Sequence, residues 1–210
     1  LMTEKINNTL KQILLGSGLS IVDIDASTDG LVKNQCLFLL KTKYNERAFF
    51  ERKDFKYVVA KNLKSVSKLM FCGCENLQIV YAPLAKKIDD GEIEGGNEGQ
   101  GAFSNTNITN IEFESLEIVG SFAFSNCNDA FVVDLPLCKQ VGEFAFYRCE
   151  KIHLMKFKML KTVGRSAFQG CSSMTDLIIP LNEQAIVSGA ELGENCISEC
   201  PKLNLINSKL

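Results

Sequence analysis

The stretch LKTVGRSAFQGCSSMTDLIIP, running from Leu160 to Pro180, decides how this chain folds. Its frame is L-x-x-V-G-x-x-A-F-x-x-C, followed by apolar residues at Met174, Leu177 and Ile179. The Ala167-Phe168 pair recurs as Ala145-Phe146 and Ala123-Phe124, each step being 22 residues. It recurs again as Ala102-Phe103, 21 residues before Phe124, and Met70-Phe71 and Ala48-Phe49 hold the same place 22 residues apart. A glycine column reads Gly120, Gly142, Gly164 and Gly193. A cysteine column, three after the Phe, reads Cys74, Thr106, Cys127, Cys149, Cys171 and Cys200, with Arg52 in the first copy. At the end of the chain Cys196 and Ile197 replace Ala-Phe, which makes seven copies, the first and last degenerate. Self-similarity at a period of 20–50 residues is the mark of a solenoid.

Two insertions break the period, near 88–99 and near 181–190. Insertions of this kind map to loops on the surface. The first carries Asp89, Asp90, Glu92, Glu94 and Glu98 among glycines. Calcium prefers several oxygen ligands, but this spacing fits no calcium-binding loop, so a mobile solvated loop is expected.

Each copy ends in apolar-x-x-apolar-x-apolar, for example Ile152-Met155-Phe157. The last two positions alternate with a period of two, as in a short strand buried on one face. The glycine supplies a permissive turn that aims Ala and Phe inward. One copy cannot bury its own apolar side, so neighbouring copies supply the missing surface. The Phe column (Phe49, Phe71, Phe103, Phe124, Phe146, Phe168) is expected to stack as a ladder, with the Cys column as a second one. In the terminal copy the inward residues are read as Leu203 and Ile206.

The N-terminal stretch differs. Ile6, Leu10, Ile13 and Leu14 share one helical face, with Thr3 as its cap. Cys36 and Phe38 lie 22 residues before Val58 and Ala60 and are read as the inward residues of a leading strand. The chain therefore divides into residues 1–43, a helix-plus-strand cap over the open end of the core, and residues 44–210, the repeat array. The expected architecture is an α/β repeat solenoid, a right-handed array with short parallel strands on its concave face and a helical N-terminal cap.

Composition narrows the functional classes. The 210 residues carry a net charge of −2 with 46% apolar content, so a folded and nearly neutral module is expected. No local Lys/Arg run suggests a nucleic-acid partner. No run approaches the ~20 apolar residues that span a bilayer, so no membrane insertion is expected. The opening LMTEKINNTLKQILLG lacks the apolar centre of a secretory signal, and with nine cysteines this reads as free thiols in a reducing compartment.

Catalytic, cofactor and metal sites are not expected. The single histidine, His153, has no partner at a motif spacing, and any His-dependent mechanism would route through it. The cysteine pairs Cys72/Cys74 and Cys196/Cys200 lack the two-residue spacing typical of zinc sites. The column cysteines read as small buried packing residues, since Thr106 substitutes among them. Cys72 and Cys138 fall outside the column and are open to exposure. With His153 they define the alternative reading, a thiol-dependent enzyme, which burial of those thiols would sink.

The outward strand positions form two rows. One is Tyr57, Ile79, Asn110, Val132, Leu154, Asp176 and Leu205; the other is Val59, Tyr81, Glu112, Asp134, Lys156, Ile178 and Asn207. The first row is largely apolar, as contiguous interaction surfaces often are. The candidate partner-binding set is therefore Tyr57, Val59, Ile79, Tyr81, Glu112, Val132, Asp134, Leu154, Lys156, Asp176 and Ile178. A protein or peptide is the expected ligand, and Leu203, Leu205 and Ile206 at the last copy suggest end-to-end self-association.

These columns resemble the BspA-like leucine-rich-repeat family, whose repeat runs L-x-x-I-G-x-x-A-F-x-x-C-x-x-L-x-x-I-x-L-P. LEIVGSFAFSNCNDAFVVDLP (116–136) and LKTVGRSAFQGCSSMTDLIIP (160–180) carry the resemblance, which extends over roughly residues 44–208. It implies a protein-interaction module of the surface-adhesin or antigen kind, or a structural segment of a larger adhesin. It also implies a cell-surface location, against the reducing compartment suggested by the cysteines.

Overall fold

In each copy an inward apolar residue alternates with outward ones, so the backbone turns three times to keep one side dry. The computed structural model describes residues 8–25, 28–93, 99–179 and 195–207. Within it the copies wind as a solenoid of parallel strands. Each turn carries a longer strand, a two-residue strand and a compact bend.

The longer strands form two sheets. Cys36–Phe38, Tyr57–Val59 and Ile79–Tyr81 pair in parallel, and so do Asn110–Glu112, Val132–Asp134, Leu154–Lys156, Asp176–Ile179 and Asn204–Asn207. The two-residue strands Ser65–Val66, Lys87–Ile88, Ile118–Val119, Gln140–Val141 and Thr162–Val163 make one unbroken sheet on another side.

The bends stack through a third ladder of hydrogen bonds. The Phe71 N–H donates to the Ala102 carbonyl at 2.8 Å, Phe103 to Ala123 at 2.8 Å, Phe124 to Ala145 at 2.8 Å, Phe146 to Ala167 at 2.8 Å and Phe168 to Cys196 at 2.8 Å. Two sites in the bend adopt left-handed backbone. One precedes the Ala-Phe pair (Phe122, Phe144, Ser166) and the other lies two after the Phe (Gly73, Asn126, Arg148, Gly170). Non-glycine residues there cost about 1–2 kcal/mol each; the inter-turn hydrogen bonds offset that cost.

The glycine column has a different role from the one its sequence suggested. Gly120, Gly142 and Gly164 are not among the residues with positive φ. A Cβ on Gly142 would lie 2.5 Å from the backbone nitrogen of Ser121, and one on Gly164 would lie 2.5 Å from that of Glu143. Glycine is required because successive turns touch backbone to backbone, a steric reason and not a conformational one. Gly193 lies outside the described residues.

The phenylalanines stack as expected. Centroid separations from Phe49 through Phe168 are 5.5, 5.3, 5.1, 5.3 and 5.9 Å, and the rings are within 28° of parallel. The cysteine ladder forms too, and each thiol has a specific task. The Sγ of Cys74 donates to the Phe49 carbonyl at 3.0 Å, Cys127 to Phe103 at 3.1 Å, Cys149 to Phe124 at 3.0 Å and Cys171 to Phe146 at 3.3 Å. Thr106 instead bonds the Phe103 carbonyl of its own copy at 2.9 Å. At Phe49, Phe124 and Phe146 the thiol is a second donor beside a backbone N–H, and it links one turn to the next.

Two registers differ from the sequence reading. The leading strand pairs Leu37 with Val58, and Cys36 and Phe38 with Tyr57 and Val59. The step is 21 residues, and a one-residue slip moves every side chain to the opposite face. Leu37 and Leu39 therefore enter the main core, while Cys36 and Phe38 belong to a second apolar cluster. At the other end Leu177 pairs with Leu205 and Ile178 with Ile206, one residue away from the frame that placed Ile206 inward.

The helix α1 (Asn8–Ser17) explains that second cluster. Its buried residues, Thr9, Leu10, Ile13 and Ser17, share one face, and it ends where Gly18 takes a φ of 66°. A short helix, α2 (Ile21–Asp25), follows, capped reciprocally by Ser20 and Asp23. Leu10 and Ile13 of α1, Leu19 and Ile24 pack on Cys36, Phe38 and Val59, with Tyr57, Ile79 and Tyr81 at the margin. The helix thus lies across the outer face of the longer strands and not over the end of the main core. At that end stands the hairpin of Val32–Lys33 and Cys36–Phe38, whose two-residue loop has both Asn34 and Gln35 at positive φ. Thr3 and Ile6 lie outside the described residues.

Candidate partner-binding face

Parallel pairing brings the outward strand residues of successive copies about 4.8 Å apart, so separated residues become rows. In the second sheet Asn110, Val132, Leu154 and Asp176 stand in register, and so do Glu112, Asp134, Lys156 and Ile178. In the first sheet Tyr57 stands beside Ile79, and Val59 beside Tyr81.

The two halves of this face have different surroundings. Val59 is buried, and Tyr57, Ile79 and Tyr81 are half-buried against the helical segment. Gly16 permits the approach: a Cβ there would lie 2.4 Å from the Tyr57 hydroxyl oxygen. Burial, followed by the nearby Glu114 carboxylate, raises the pKa of the Tyr81 hydroxyl. The apolar character of these four positions is explained by the chain's own helix. Beyond it Val132, Asp134, Leu154, Lys156, Asp176 and Ile178 are half-buried in the sheet surface, and Glu112 is exposed. The Thr9 hydroxyl donates to the Glu112 carboxylate at 3.4 Å, which marks how far α1 reaches. Thr175 holds the Asp176 carboxylate at 2.8 Å. Asn204 and Ile206 extend the two rows in backbone register, where the sequence reading had Leu205 and Asn207; the side chains of 204–207 lie outside the described residues, as does the end-to-end association expected of them.

Phe131 and His153 were not singled out together by the sequence. They precede neighbouring strands, and their rings stack with centroids 6.2 Å apart. Phe131 is exposed, and His153 Nδ1 lies 2.7 Å from the Lys151 carbonyl oxygen. The one signal available was the 22-residue spacing between them.

The thiols offer no accessible nucleophile at the places first considered. Cys72 and Cys138, left open to exposure by the sequence, are 1% and 0% exposed, so neither is the accessible thiol that the alternative thiol-dependent reading needs. Burial pushes the thiols of Cys36, Cys74 and Cys138 up to about 12. All nine cysteines are free. Among the described residues no group of His, Cys, Asp and Glu is placed to hold a metal ion.

The acidic insertion is ordered at its base. Glu92–Ile93 pairs antiparallel with Gly99–Gln100, and Glu92 binds Arg47 at 2.6 Å and also Lys68. Asp90 accepts a hydrogen bond from the Ser121 N–H at 2.8 Å, and Asp89 meets Lys87 at 3.1 Å. These carboxylates brace the fold, so the expectation of a loop free in solvent fails for them. Glu94 and Glu98 lie outside the described residues, as does the 181–190 insertion.

The repeat geometry agrees with what comparison with known proteins finds. Residues 98–209 match the BspA type leucine-rich-repeat region in six copies, so the chain belongs to that family. A leucine-rich repeat protein from Bacteroides ovatus, known from its crystal structure, is similar over 82% of this chain at 16% identity and a TM-score of 0.27. The chain spans 57% of that protein's length. No curated protein matches it. The family suggests a protein-interaction or adhesin-like role. No helix among the described residues is long and apolar enough to cross a membrane.

Proposed function

We propose that this chain binds a protein or peptide partner on the outer face of its longer strands, in the portion that α1 leaves uncovered. The contact residues are Glu112, Val132, Asp134, Leu154, Lys156, Asp176 and Ile178. Tyr57, Val59, Ile79 and Tyr81 form the seat of α1 and act through it. The observation that supports this reading is α1 itself, an apolar helical face held on the first of the two sheets that the longer strands form, next to the second. A surface that accepts one amphipathic segment has the geometry to accept another beside it, as in helix-in-groove recognition. The charges of Glu112, Asp134 and Lys156 supply the register that a purely apolar strip would lack. In biological terms this is an adhesin-like or antigen-like module, and no catalytic step belongs to it.

The test is a pull-down that compares wild type with Leu154→Glu/Lys156→Glu and with Ile13→Asp, after circular dichroism shows all three folded. Partners lost only by the first variant support the uncovered rows as the contact. Partners lost only by the second make α1 the contact, and partners shared by all three overturn the assignment to this face.

A further inference from the structure

Between the longer and the shorter strand each copy runs outward, inward, outward. The triplets are Asn62-Leu63-Lys64, Leu84-Ala85-Lys86, Ser115-Leu116-Glu117, Leu137-Cys138-Lys139 and Met159-Leu160-Lys161. The middle residue is buried in every copy. The last residues stand in one row: the Lys86 N–H donates to the Lys64 carbonyl at 2.9 Å, Glu117 to Lys86 at 2.8 Å, Lys139 to Glu117 at 2.8 Å and Lys161 to Lys139 at 2.8 Å. Four lysines with one carboxylate therefore line up over roughly 19 Å at the usual strand spacing. Glu117 bridges its neighbours, at 2.6 Å to Lys139 and 3.7 Å to Lys86. Beside this row Leu84, Leu137 and Met159 are 49%, 46% and 44% exposed. The sequence shows no basic run here; the winding makes one.

We propose that this side of the solenoid rests on an anionic lipid surface. A row of ammonium groups next to the exposed Leu84, Leu137 and Met159, with Ser115 between the first two, matches the two layers of a bilayer interface, phosphate headgroups and the acyl boundary beneath them. The lysine row immediately precedes the unbroken short-strand sheet, and its own turn-to-turn backbone hydrogen bonds keep it in line. The basic excess is local, because the whole chain carries −2. A linear polyanion would use the lysines but leave Leu84, Leu137 and Met159 in water. Nucleic acid is a poorer fit, since these triplets hold no ring on which a base could stack. The contact is peripheral and separate from the longer-strand face.

Co-sedimentation of the full chain with vesicles tests this. The variants are Lys139→Glu/Lys161→Glu and Leu137→Ser/Met159→Ser, exposed or partly exposed positions whose folding circular dichroism verifies. Wild type is expected to sediment with phosphatidylcholine–phosphatidylserine vesicles, less so as salt rises, and not with phosphatidylcholine alone. The lysine variant is expected to lose at least tenfold in binding, and the apolar variant several-fold at constant salt dependence. Absence of wild-type sedimentation, or equal sedimentation by both variants, overturns the proposal. So does heparin binding that needs the lysines while neither heparin nor vesicle binding responds to the apolar pair, which would make the ligand a linear polyanion.

Discussion

Truncating Phe124 to alanine tests whether the stacked rings hold the solenoid together. The ring lies 5.1 Å from Phe103 at 3°, 5.3 Å from Phe146 at 10° and 6.3 Å from Phe113. It is 0% exposed, so the cavity left behind would be dry and lined by three rings. Phe→Ala changes in cores cost about 3–5 kcal/mol, and the loss of three aromatic neighbours places this one near 4–5 kcal/mol. An unfolding entropy of about 2.1 cal/mol/K per residue converts that cost, over the 210 residues, into a fall in Tm of roughly 10 °C. Phe131→Ala is the control: Phe131 is 46% exposed, so its removal should cost under about 1 kcal/mol. Both are read by thermal and urea unfolding followed by circular dichroism. A fall in Tm no larger for the Phe124 variant than for the Phe131 variant would refute the reading that the stacked rings hold the solenoid together.

Gly142→Ala should destabilise by about 1–3 kcal/mol, because the new Cβ meets the Ser121 backbone nitrogen at 2.5 Å; a stabilised variant in urea unfolding would show that the turns can move apart. Partial burial of Tyr44, followed by its hydrogen bond to Asp29, raises its hydroxyl pKa to about 12. Folded protein therefore keeps a proton that the unfolded chain releases near 10, so this contribution is complete below that pH and is lost as pH rises through about 12. A tyrosinate absorbance titration of wild type minus Tyr44→Phe should place the missing step near the upper value, and a step near the lower one would count against the Tyr44–Asp29 pairing. Thiol titration should find nine reactive cysteines in denaturant but no more than one, Cys200, in the first minutes on native protein, since the other eight are buried; rapid labelling of four or more would contradict the packed column.

The sequence by itself determined the repeat. Phenylalanine and cysteine columns at a fixed spacing can be satisfied only by stacked copies, so the ladders, the inward strand positions and the parallel rows follow from counting along the chain. Several features could not be reached that way. The one-residue slip at Cys36 and Phe38 shows only in the pairing of Leu37 with Val58, a 21-residue step that the 22-residue period does not contain. The apolar outward positions Tyr57, Val59, Ile79 and Tyr81 look like a surface awaiting a partner, and only the docking of α1 shows what already covers them. The glycine column is visible as letters, but its cause is contact between backbones of adjacent turns. Lys64, Lys86, Lys139 and Lys161 are far apart along the chain and become a row only because each turn of the solenoid returns the backbone to the same side. Local composition is a property of neighbours in sequence; charge and apolar patches are properties of neighbours in space, and in a solenoid the two differ by the length of one turn.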